Sequence, residues 1–230
     1  MRGAVDAVLF DAGGVLVLPD PAVLAPTLRP YGGAAEVARH ERAHYGGMAA
    51  QARAGDAEDS WASYDLAYVR HVGVPATEEA EAAFVLGRTR HAHLWRAPVA
   101  GARDGLAALH AAGIPIGVVS NASGQIASVL ARVGVCQVGE GPGAPVRFVV
   151  DSHDVGVAKP DPAIFRPALA ALGGIAPGRV AYVGDSVSTD VAAARAAGMV
   201  PVLVDPYDDW PDLDVVRIRG VADLVTLLRG

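Results

Sequence analysis

Short apolar runs that end in glycine or polar residues recur along the chain. The first covers residues 5–10 and ends at Asp11. Four further runs follow the same pattern, at residues 114–119, 146–150, 179–183 and 200–204. Runs of this length, bounded by turn-forming residues, are typical of buried β-strands. The pattern therefore predicts five strands.

Helical patterns lie between these runs, at residues 101–112, 123–133, 162–172 and 189–197. Asp161 followed by Pro162 marks one helix start, because Asp is a good N-cap and Pro suits the first helical position. Gly173 and Gly198 follow helical stretches as left-handed caps, and Pro167 predicts a kink or a late start in the third helix. Strands that alternate with helices predict an α/β fold with a parallel sheet and helices on both faces.

Residues 19–97 interrupt this alternation, because they contain no run of strand type. Three helices are predicted here instead, over residues 34–53, 57–72 and 77–95. Asp56 and Thr77 are the expected N-caps of the last two. We therefore expect an α/β core domain of residues 1–18 and 98–230, with an all-helical cap domain of residues 19–97 inserted after the first strand.

Composition is that of a folded protein without a nucleic-acid or membrane surface. The chain has 230 residues, of which 52% are apolar and 19% charged, which is enough for a large domain and a smaller one. The net charge of −6 offers no basic surface to nucleic acid or to an anionic membrane. No apolar run approaches the roughly 20 residues of a membrane helix, and Asp6 interrupts the apolar stretch that a secretory signal would need.

The only cysteine, Cys136, excludes an intramolecular disulfide framework and is typical of a reducing compartment. We expect a cytoplasmic location, and we interpret Cys136 as a small buried apolar residue rather than a catalytic thiol. The sequence does not predict an oligomeric state.

Lysine is almost absent, since Lys159 is the single lysine among 19 basic residues. An ammonium is compact, whereas a guanidinium is a wide planar fork. Lys159 is therefore expected at a tight site where an arginine would not fit.

Polar side chains follow four of the five predicted strands. In strand order they are Asp11, Ser120 with Asn121, Lys159, and Asp185 with Asp190. Because ligands bind at the carboxyl ends of parallel strands, we expect these side chains to meet at one edge of the sheet. Each alone is explained as a helix cap, a first-turn acid or a solvated charge. Helix caps alone do not explain the whole set, which predicts a functional site.

Four segments of the chain resemble the motifs of the haloacid dehalogenase superfamily, in the family's order and over nearly the whole chain. They are residues 10–16 (FDAGGVL), 118–122 (VVSNA), 156–165 (GVAKPDPAIF) and 182–190 (YVGDSVSTD), the last followed by 193–199 (AARAAGM). Together they identify the chain as a member of the superfamily. The match is to a subfamily IA-like member with a helical cap in the type 1 position, and it implies a Rossmann-like parallel sheet.

The resemblance also implies a role for each polar residue, in a hydrolase that acts on a small phosphorylated substrate. Asp11 is the implied nucleophile toward phosphorus. Ser120, through its hydroxyl, and Asn121, through its backbone N–H, are implied to hold the phosphoryl oxygens, and Lys159 to neutralise nucleophile and phosphate together. The implied ligands of a Mg²⁺ ion are Asp11, the backbone carbonyl of Gly13, Asp185, and Asp190 directly or through water.

The first motif departs from the family pattern at Gly13. Family phosphatases have a second Asp at this position, which protonates the leaving oxygen and later activates water, whereas glycine has no side chain. Such acid–base help typically contributes about 10²–10⁴-fold to the rate. Gly13 still offers a carbonyl to a metal ion, so we expect no mutase activity but an intact metal site.

Three interpretations follow from Gly13. The first is a phosphatase whose proton donor comes from the cap or whose substrate has a good leaving group. The candidate donors in the cap are His40, His44, His91 and His93. The second is a 2-haloacid dehalogenase, a metal-free relative that also lacks the second Asp but usually lacks the acids kept here at Asp185 and Asp190. The third is a weakly active or non-catalytic member that binds a ligand or a protein. Phosphonate cleavage needs a cap lysine, and residues 19–97 contain none.

Overall fold

The computed structural model describes residues 3–55, 60–91 and 93–229, and its central feature is a sheet of six parallel strands. Numbered in chain order and given from edge to edge, the strands are β10 (Val216–Ile218), β9 (Val200–Val204), β8 (Val180–Gly184), β1 (Ala7–Phe10), β4 (Ile116–Ser120) and β7 (Val149–Asp151). All four residues of β1 are buried. The carboxyl end of β1 therefore places Asp11 in the middle of the sheet edge.

Helices cover both faces of this sheet, as predicted. On one face, Val8 and Phe10 of β1 belong to a buried cluster with side chains of α5 (Ala102–Ala111), α6 (Ile126–Arg132) and α10 (Val221–Arg229). On the other face, Ala7 and Leu9 pack with α8 (Arg166–Ala171) and α9 (Ala192–Ala196). The alternation of side chains along β1 produces these two layers, and the α/β fold class is confirmed.

A helical segment follows β1 and has its own buried cluster. Its helices are α1 (Pro21–Leu28), α2 (Val37–Ala54), α3 (Ala62–His71) and α4 (Glu79–Thr89). Leu28, Tyr68 and Leu86 are among the residues at its centre. Where the chain enters and leaves this segment, β2 (Val17–Pro19) pairs antiparallel with β3 (Trp95–Pro98).

The predicted helix over residues 77–95 is wrong at both ends. It starts at Glu79 without a side-chain cap, so Thr77 is not its N-cap. It ends at Thr89, where the chain becomes extended, and Trp95 lies in a strand. The pairing with β2 that holds this strand is a tertiary contact that local periodicity does not show. The other predicted cap, Asp56, lies outside the described residues.

The run at residues 146–150 is two strands rather than one. Val146 ends β6 (Ala144–Val146), which pairs with β5 (Cys136–Val138) beside the main sheet, and Val149 starts β7. Strands of three residues are too short for a periodic pattern, so β5, β6 and β10 were not predicted.

The predicted helix marks around the third core helix agree with the structure. Asp161 accepts a hydrogen bond from the backbone N–H of Ala163 and begins a 3₁₀ turn at Pro162–Phe165. The α-helix starts only afterwards, with Pro167 in its first turn. Gly173 and Gly198 have φ of 71° and 70°, as left-handed caps require.

Three shorter elements lie between these helices and strands. They are α7 (Ser152–Val155), and 3₁₀ turns at Arg29–Tyr31 and Pro177–Arg179. Within the described ranges, no helix combines the length and apolar composition needed to cross a membrane.

Candidate active site

The polar residues predicted at the strand ends line one cavity of about 380 Å³. They are Asp11, Gly13, Ser120, Asn121, Lys159, Asp185 and Asp190. The parallel register explains their proximity, because Phe10 at the end of β1 lies level with Val118 in β4 and Val183 in β8. The cavity volume is typical of small-molecule sites.

Three carboxylates form a buried acidic cluster in this cavity. Asp11, Asp185 and Asp190 each place one oxygen within 4.8 Å of the others. Burial raises the pKa of Asp11 to about 6; Lys159 opposes this shift, and the charges of Asp190 and Asp185 add to it. Burial likewise raises the pKa of Asp185. So much negative charge in a buried space requires cations nearby.

Lys159 is one such cation, and its ammonium contacts three groups. It lies 2.8 Å from Oδ1 of Asp11, 2.7 Å from Oδ1 of Asp190 and 2.8 Å from the hydroxyl of Tyr182. The side chain is only 2% exposed. Burial disfavours its charged form, but Asp11 and Asp190 outweigh that effect and raise the pKa of Lys159 well above its ordinary value. The sequence did not indicate that Tyr182 contacts Lys159. The hydroxyl of Tyr182 in turn donates a hydrogen bond to the carbonyl of Val119.

Oδ1 of Asp11 has unused bonding capacity. It forms an ion pair with the ammonium of Lys159 at 2.8 Å. Among the described groups, no donor makes a well-aligned hydrogen bond to this buried oxygen. Such an oxygen remains available to a metal ion.

Asp190 holds the turn after β8, a π-helical turn at Val187–Val191. Its Oδ2 accepts the backbone N–H groups of Asp185 at 3.0 Å and Ser186 at 2.9 Å, while its Oδ1 accepts from Lys159. A Cβ on Gly184 would lie 2.3 Å from this carboxyl group. Glycine is therefore required for the carboxylate to reach the turn.

Ser120 and Asn121 lie at the end of β4. Ser120 is 3% exposed and lines the cavity. The side chain of Asn121 donates to the carbonyl of Lys159 at 3.0 Å and accepts its N–H at 2.8 Å. Asn121 thereby fixes the main chain that carries Lys159, just before the cis bond to Pro160.

Position 13 lies between Asp11 and the indole of Trp95. A Cβ on Gly13 would be 3.8 Å from Oδ2 of Asp11, and 3.4 and 3.5 Å from two atoms of the Trp95 indole. The next residue, Gly14, has a φ of 66°, and a Cβ there would be 2.0 Å from Oδ2 of Asp185. The loop after β1 therefore approaches the acidic cluster more closely than residues with side chains would allow.

Of the four histidines considered as proton donors, His44 and His91 line the cavity. His40 does not, since its ring nitrogens bond the hydroxyl of Tyr68 and the carbonyl of Ala34 in the interior of the helical segment. His93 does not line it either, and it is exposed. The candidacies of His40 and His93 were therefore wrong.

His44 reaches the acidic cluster from α2. Its Nε2 lies 2.9 Å from Oδ2 of Asp185, and its Nδ1 lies 2.9 Å from the hydroxyl of Tyr64. Burial raises the pKa of Tyr64 well above its ordinary value. Because a carboxylate only accepts hydrogen bonds, we assign a ring hydrogen to Nε2 of His44, which donates to Asp185.

The cavity wall also contains residues that the sequence did not suggest. The helical segment and β3 contribute Met48, Gln51, Trp61, Arg90 and Trp95. Nothing in their spacing marks them, since they meet only through tertiary packing. Cys136, by contrast, is buried as predicted, and burial raises the pKa of its thiol to about 12.

The sequence of the chain is similar to those of known hydrolases. Residues 5–198 match the family of haloacid dehalogenase-like hydrolases. The phosphoserine phosphatase of Thermus thermophilus is 44% identical over 90 residues, which cover 36% of each chain. The glyceraldehyde 3-phosphate phosphatase of Methanopyrus kandleri is 39% identical over 87 residues, or 34% of this chain and 37% of that one. The chain thus matches about a third of the length of these curated relatives.

Solved structures of both phosphatases and dehalogenases share the fold. A HAD phosphatase from Thermococcus onnurineus superposes with a TM-score of 0.59 at 21% identity, over 99% of this chain and 97% of that chain. The L-2-haloacid dehalogenase of Xanthobacter autotrophicus gives 0.56 at 20% identity, over 98% and 99%. These structural similarities show the fold, but they do not distinguish phosphate ester hydrolysis from dehalogenation.

Proposed function

The chain belongs to the haloacid dehalogenase-like hydrolases, and we propose that it is a Mg²⁺-dependent phosphohydrolase that acts on a small phosphorylated metabolite through an aspartyl-phosphate intermediate. The observation that carries the proposal is the buried ammonium of Lys159, which contacts Asp11 and Asp190 beside Asp185. This set provides a nucleophile, a fixed positive charge and an acidic cluster in one cavity. The phosphatases among its partial relatives support the same activity.

The described residues fit a magnesium ion. Three carboxylates lie within 4.8 Å of one another, and Oδ1 of Asp11 is buried without a well-aligned hydrogen bond. Asp11, the carbonyl of Gly13 and Asp185 would hold the ion, and Asp190 would act through water, because both of its oxygens already accept hydrogen bonds. When bound, Mg²⁺ offsets the negative charge that would otherwise set the carboxylates against the phosphate.

In the first step, a carboxylate oxygen of Asp11 attacks phosphorus. An oxygen–phosphorus bond forms to Asp11, and the bond between phosphorus and the leaving oxygen breaks, with the electron pair remaining on that oxygen. Lys159 stabilises the charge on the phosphoryl group, while the Ser120 hydroxyl and the Asn121 backbone N–H bind its oxygens. In the second step, water attacks phosphorus and loses a proton to solvent, the bond between phosphorus and Asp11 breaks, and Asp11 is released as carboxylate with inorganic phosphate.

We further propose the two-domain division into residues 1–18 with 98–230 and residues 19–97. The helical segment supplies part of the cavity wall, so its movement would open the site for substrate and close it against water. Under this division, the cap determines which metabolite is accepted.

Phosphate release tests the proposal. We expect a panel of phosphate monoesters to include substrates that the protein hydrolyses only with Mg²⁺, and we expect Asp11→Asn to abolish this activity. Asp212→Asn, which changes an exposed loop acid, is the matched control and should keep it. Halide release from 2-haloacids without metal would contradict the proposal in favour of a dehalogenase. Mg²⁺ binding without any turnover would favour a non-catalytic member.

A further inference from the structure

The cavity wall next to position 13 is aromatic. The Trp61 and Trp95 rings lie 5.8 Å apart, and both line the cavity. The guanidinium of Arg90 lies 4.6 Å above the Trp61 ring and is held there by an ion pair with Asp65. The two rings are inclined by 60° to each other, and together with the fixed cation they form an aromatic wall that favours contact with another aromatic ring.

The same wall borders the position at which family phosphatases have the second Asp. Because a Cβ on Gly13 would be 3.8 Å from Asp11 and 3.4 Å from Trp95, a side chain at this position would lie between the nucleophile and the indole. Gly13 offers no proton there. The group that leaves phosphorus on this side would therefore meet Trp95 instead of a carboxyl group.

The other ionisable side chains of the cavity are engaged elsewhere. Among the described lining residues, Lys159 contacts three partners. Both ring nitrogens of His44 are bonded, Arg90 is paired with Asp65, and His91 is exposed. Among these described ionisable side chains outside the acidic cluster, none is both buried next to Asp11 and without other partners.

A leaving group that departs without a proton donor has to be a weak base. A phenol has a pKa of about 10, like the tyrosine side chain. An aliphatic alcohol is a far weaker acid than a phenol, about as weak as water. Only the phenolate is stable enough to leave readily as an anion.

We propose that the substrates are aryl phosphate monoesters, whose aromatic leaving group lies against Trp95 and Trp61. This inference rests on the proposed phosphohydrolase function and specifies its substrate class. Asp11 forms the bond to phosphorus, the bond to the aryl oxygen breaks, and the phenolate takes its proton from solvent. The water that then releases phosphate from Asp11 loses its proton to solvent.

The first test compares leaving groups in the presence of Mg²⁺. Phenyl phosphate and 4-nitrophenyl phosphate represent aryl esters, and phosphoserine and glycerol 3-phosphate represent alkyl esters. We expect kcat/KM for phenyl phosphate to exceed that for either alkyl ester by at least about 10²-fold, the lower end of what a general acid contributes. A kcat/KM for the alkyl esters within about threefold of that for phenyl phosphate would overturn the inference. The phosphohydrolase proposal would still stand. No hydrolysis of any ester would overturn both.

The second test measures binding and does not depend on turnover. Phenylphosphonate and methylphosphonate are non-hydrolysable probes that differ by the ring. Trp95→Leu should weaken phenylphosphonate binding by about 3- to 10-fold, the range expected for an aromatic contact, and change methylphosphonate binding by less than twofold. Phe84→Leu, at an exposed residue of α4, is the matched control and should change neither. Equal weakening of both probes, or of neither, in a folded Trp95→Leu protein would contradict the aromatic site.

Discussion

At the scale of single residues, Lys159 has the surroundings in the site that most restrict which side chain can be present. Its ammonium makes three contacts of 2.7–2.8 Å with Asp11, Asp190 and Tyr182, in a side chain that is 2% exposed. A compact ammonium fits among these three oxygens, whereas a planar guanidinium does not. The single lysine of the chain therefore stands where arginine is sterically unsuitable.

Lys159→Arg tests this requirement. Because the larger group enters a fully packed site, we expect the free energy of unfolding to fall by about 1–3 kcal/mol and phosphate release to fall with it. Arg103→Lys, at an exposed position of α5, is the control and should stay within about 0.5 kcal/mol of the parent protein. A Lys159→Arg protein as stable as the parent in denaturant titrations would contradict the packing described here.

A second prediction about a single residue concerns Gly184. A Cβ at this position would lie 2.3 Å from the Asp190 carboxyl group, so Gly184→Ala should displace Asp190 and destabilise the fold by about 1–3 kcal/mol. Gly178→Ala is the matched control, since the nearest atom to its Cβ would be 3.7 Å away. Denaturant titrations of both variants compare the effects, and equal stability of the two would show that the turn does not need the close approach.

At the scale of elements, α2 connects the helical segment to the acidic cluster. His44 donates to Asp185, and the Tyr45 hydroxyl donates to the carbonyl of Gly14 at 2.7 Å. One turn earlier on the same helix, His40 is equally buried but bonds only within the helical segment. The two histidines differ chiefly in whether they reach the core.

Exchanging each histidine for phenylalanine separates these roles. His44→Phe removes the hydrogen bond that orients Asp185, so we expect Mg²⁺ affinity measured by calorimetry to fall about 10- to 100-fold, as for lost partners of metal ligands. His40→Phe should lose comparable stability but keep the affinity of the parent. If the two variants bind Mg²⁺ equally well, His44 does not position Asp185.

The sequence predicted the central strands better than the peripheral ones. β9 lies at residues 200–204 as expected, because a buried parallel strand is a continuous apolar run. Trp95 was placed in a helix, since β3 exists through its pairing with β2 and has alternating burial over only four residues. Local patterns report burial along a strand, but they do not report which partner pairs with it.

The residues of the candidate site likewise differ in whether the sequence could predict them. Residues such as Asp11 and Asp185 could be predicted, because they directly follow buried strands and those ends meet in any parallel sheet. His44 was one candidate among four histidines, and only its packing separates it from His40. The indole of Trp95 beside Gly13 could not be predicted, because the two residues are far apart in sequence and meet through the fold.

At the scale of the whole molecule, the helical segment and the sheet are joined at a second place besides the cavity. Arg42 of α2 makes a bidentate ion pair with Asp209 at 2.7 and 2.8 Å, and Arg53 lies 4.7 Å above the Trp210 ring. The loop that carries Asp209 and Trp210 follows β9. These contacts hold α2 against the core while His44 reaches Asp185, so the structure describes an arrangement with the helical segment docked.

If Asp11 carries the phosphoryl group during turnover, that group can be trapped on the protein. Gly13 offers no side chain to activate water, so the second step should be slow and the intermediate should accumulate. The protein would be mixed with 4-nitrophenyl phosphate and Mg²⁺, quenched in acid within the first turnovers, digested, and examined by mass spectrometry. We predict a phosphoryl group on the peptide at Asp11, present with Mg²⁺ and absent without it. Phosphate released at full rate with that peptide unmodified, or released by Asp11→Asn, would show that Asp11 does not carry the phosphoryl group.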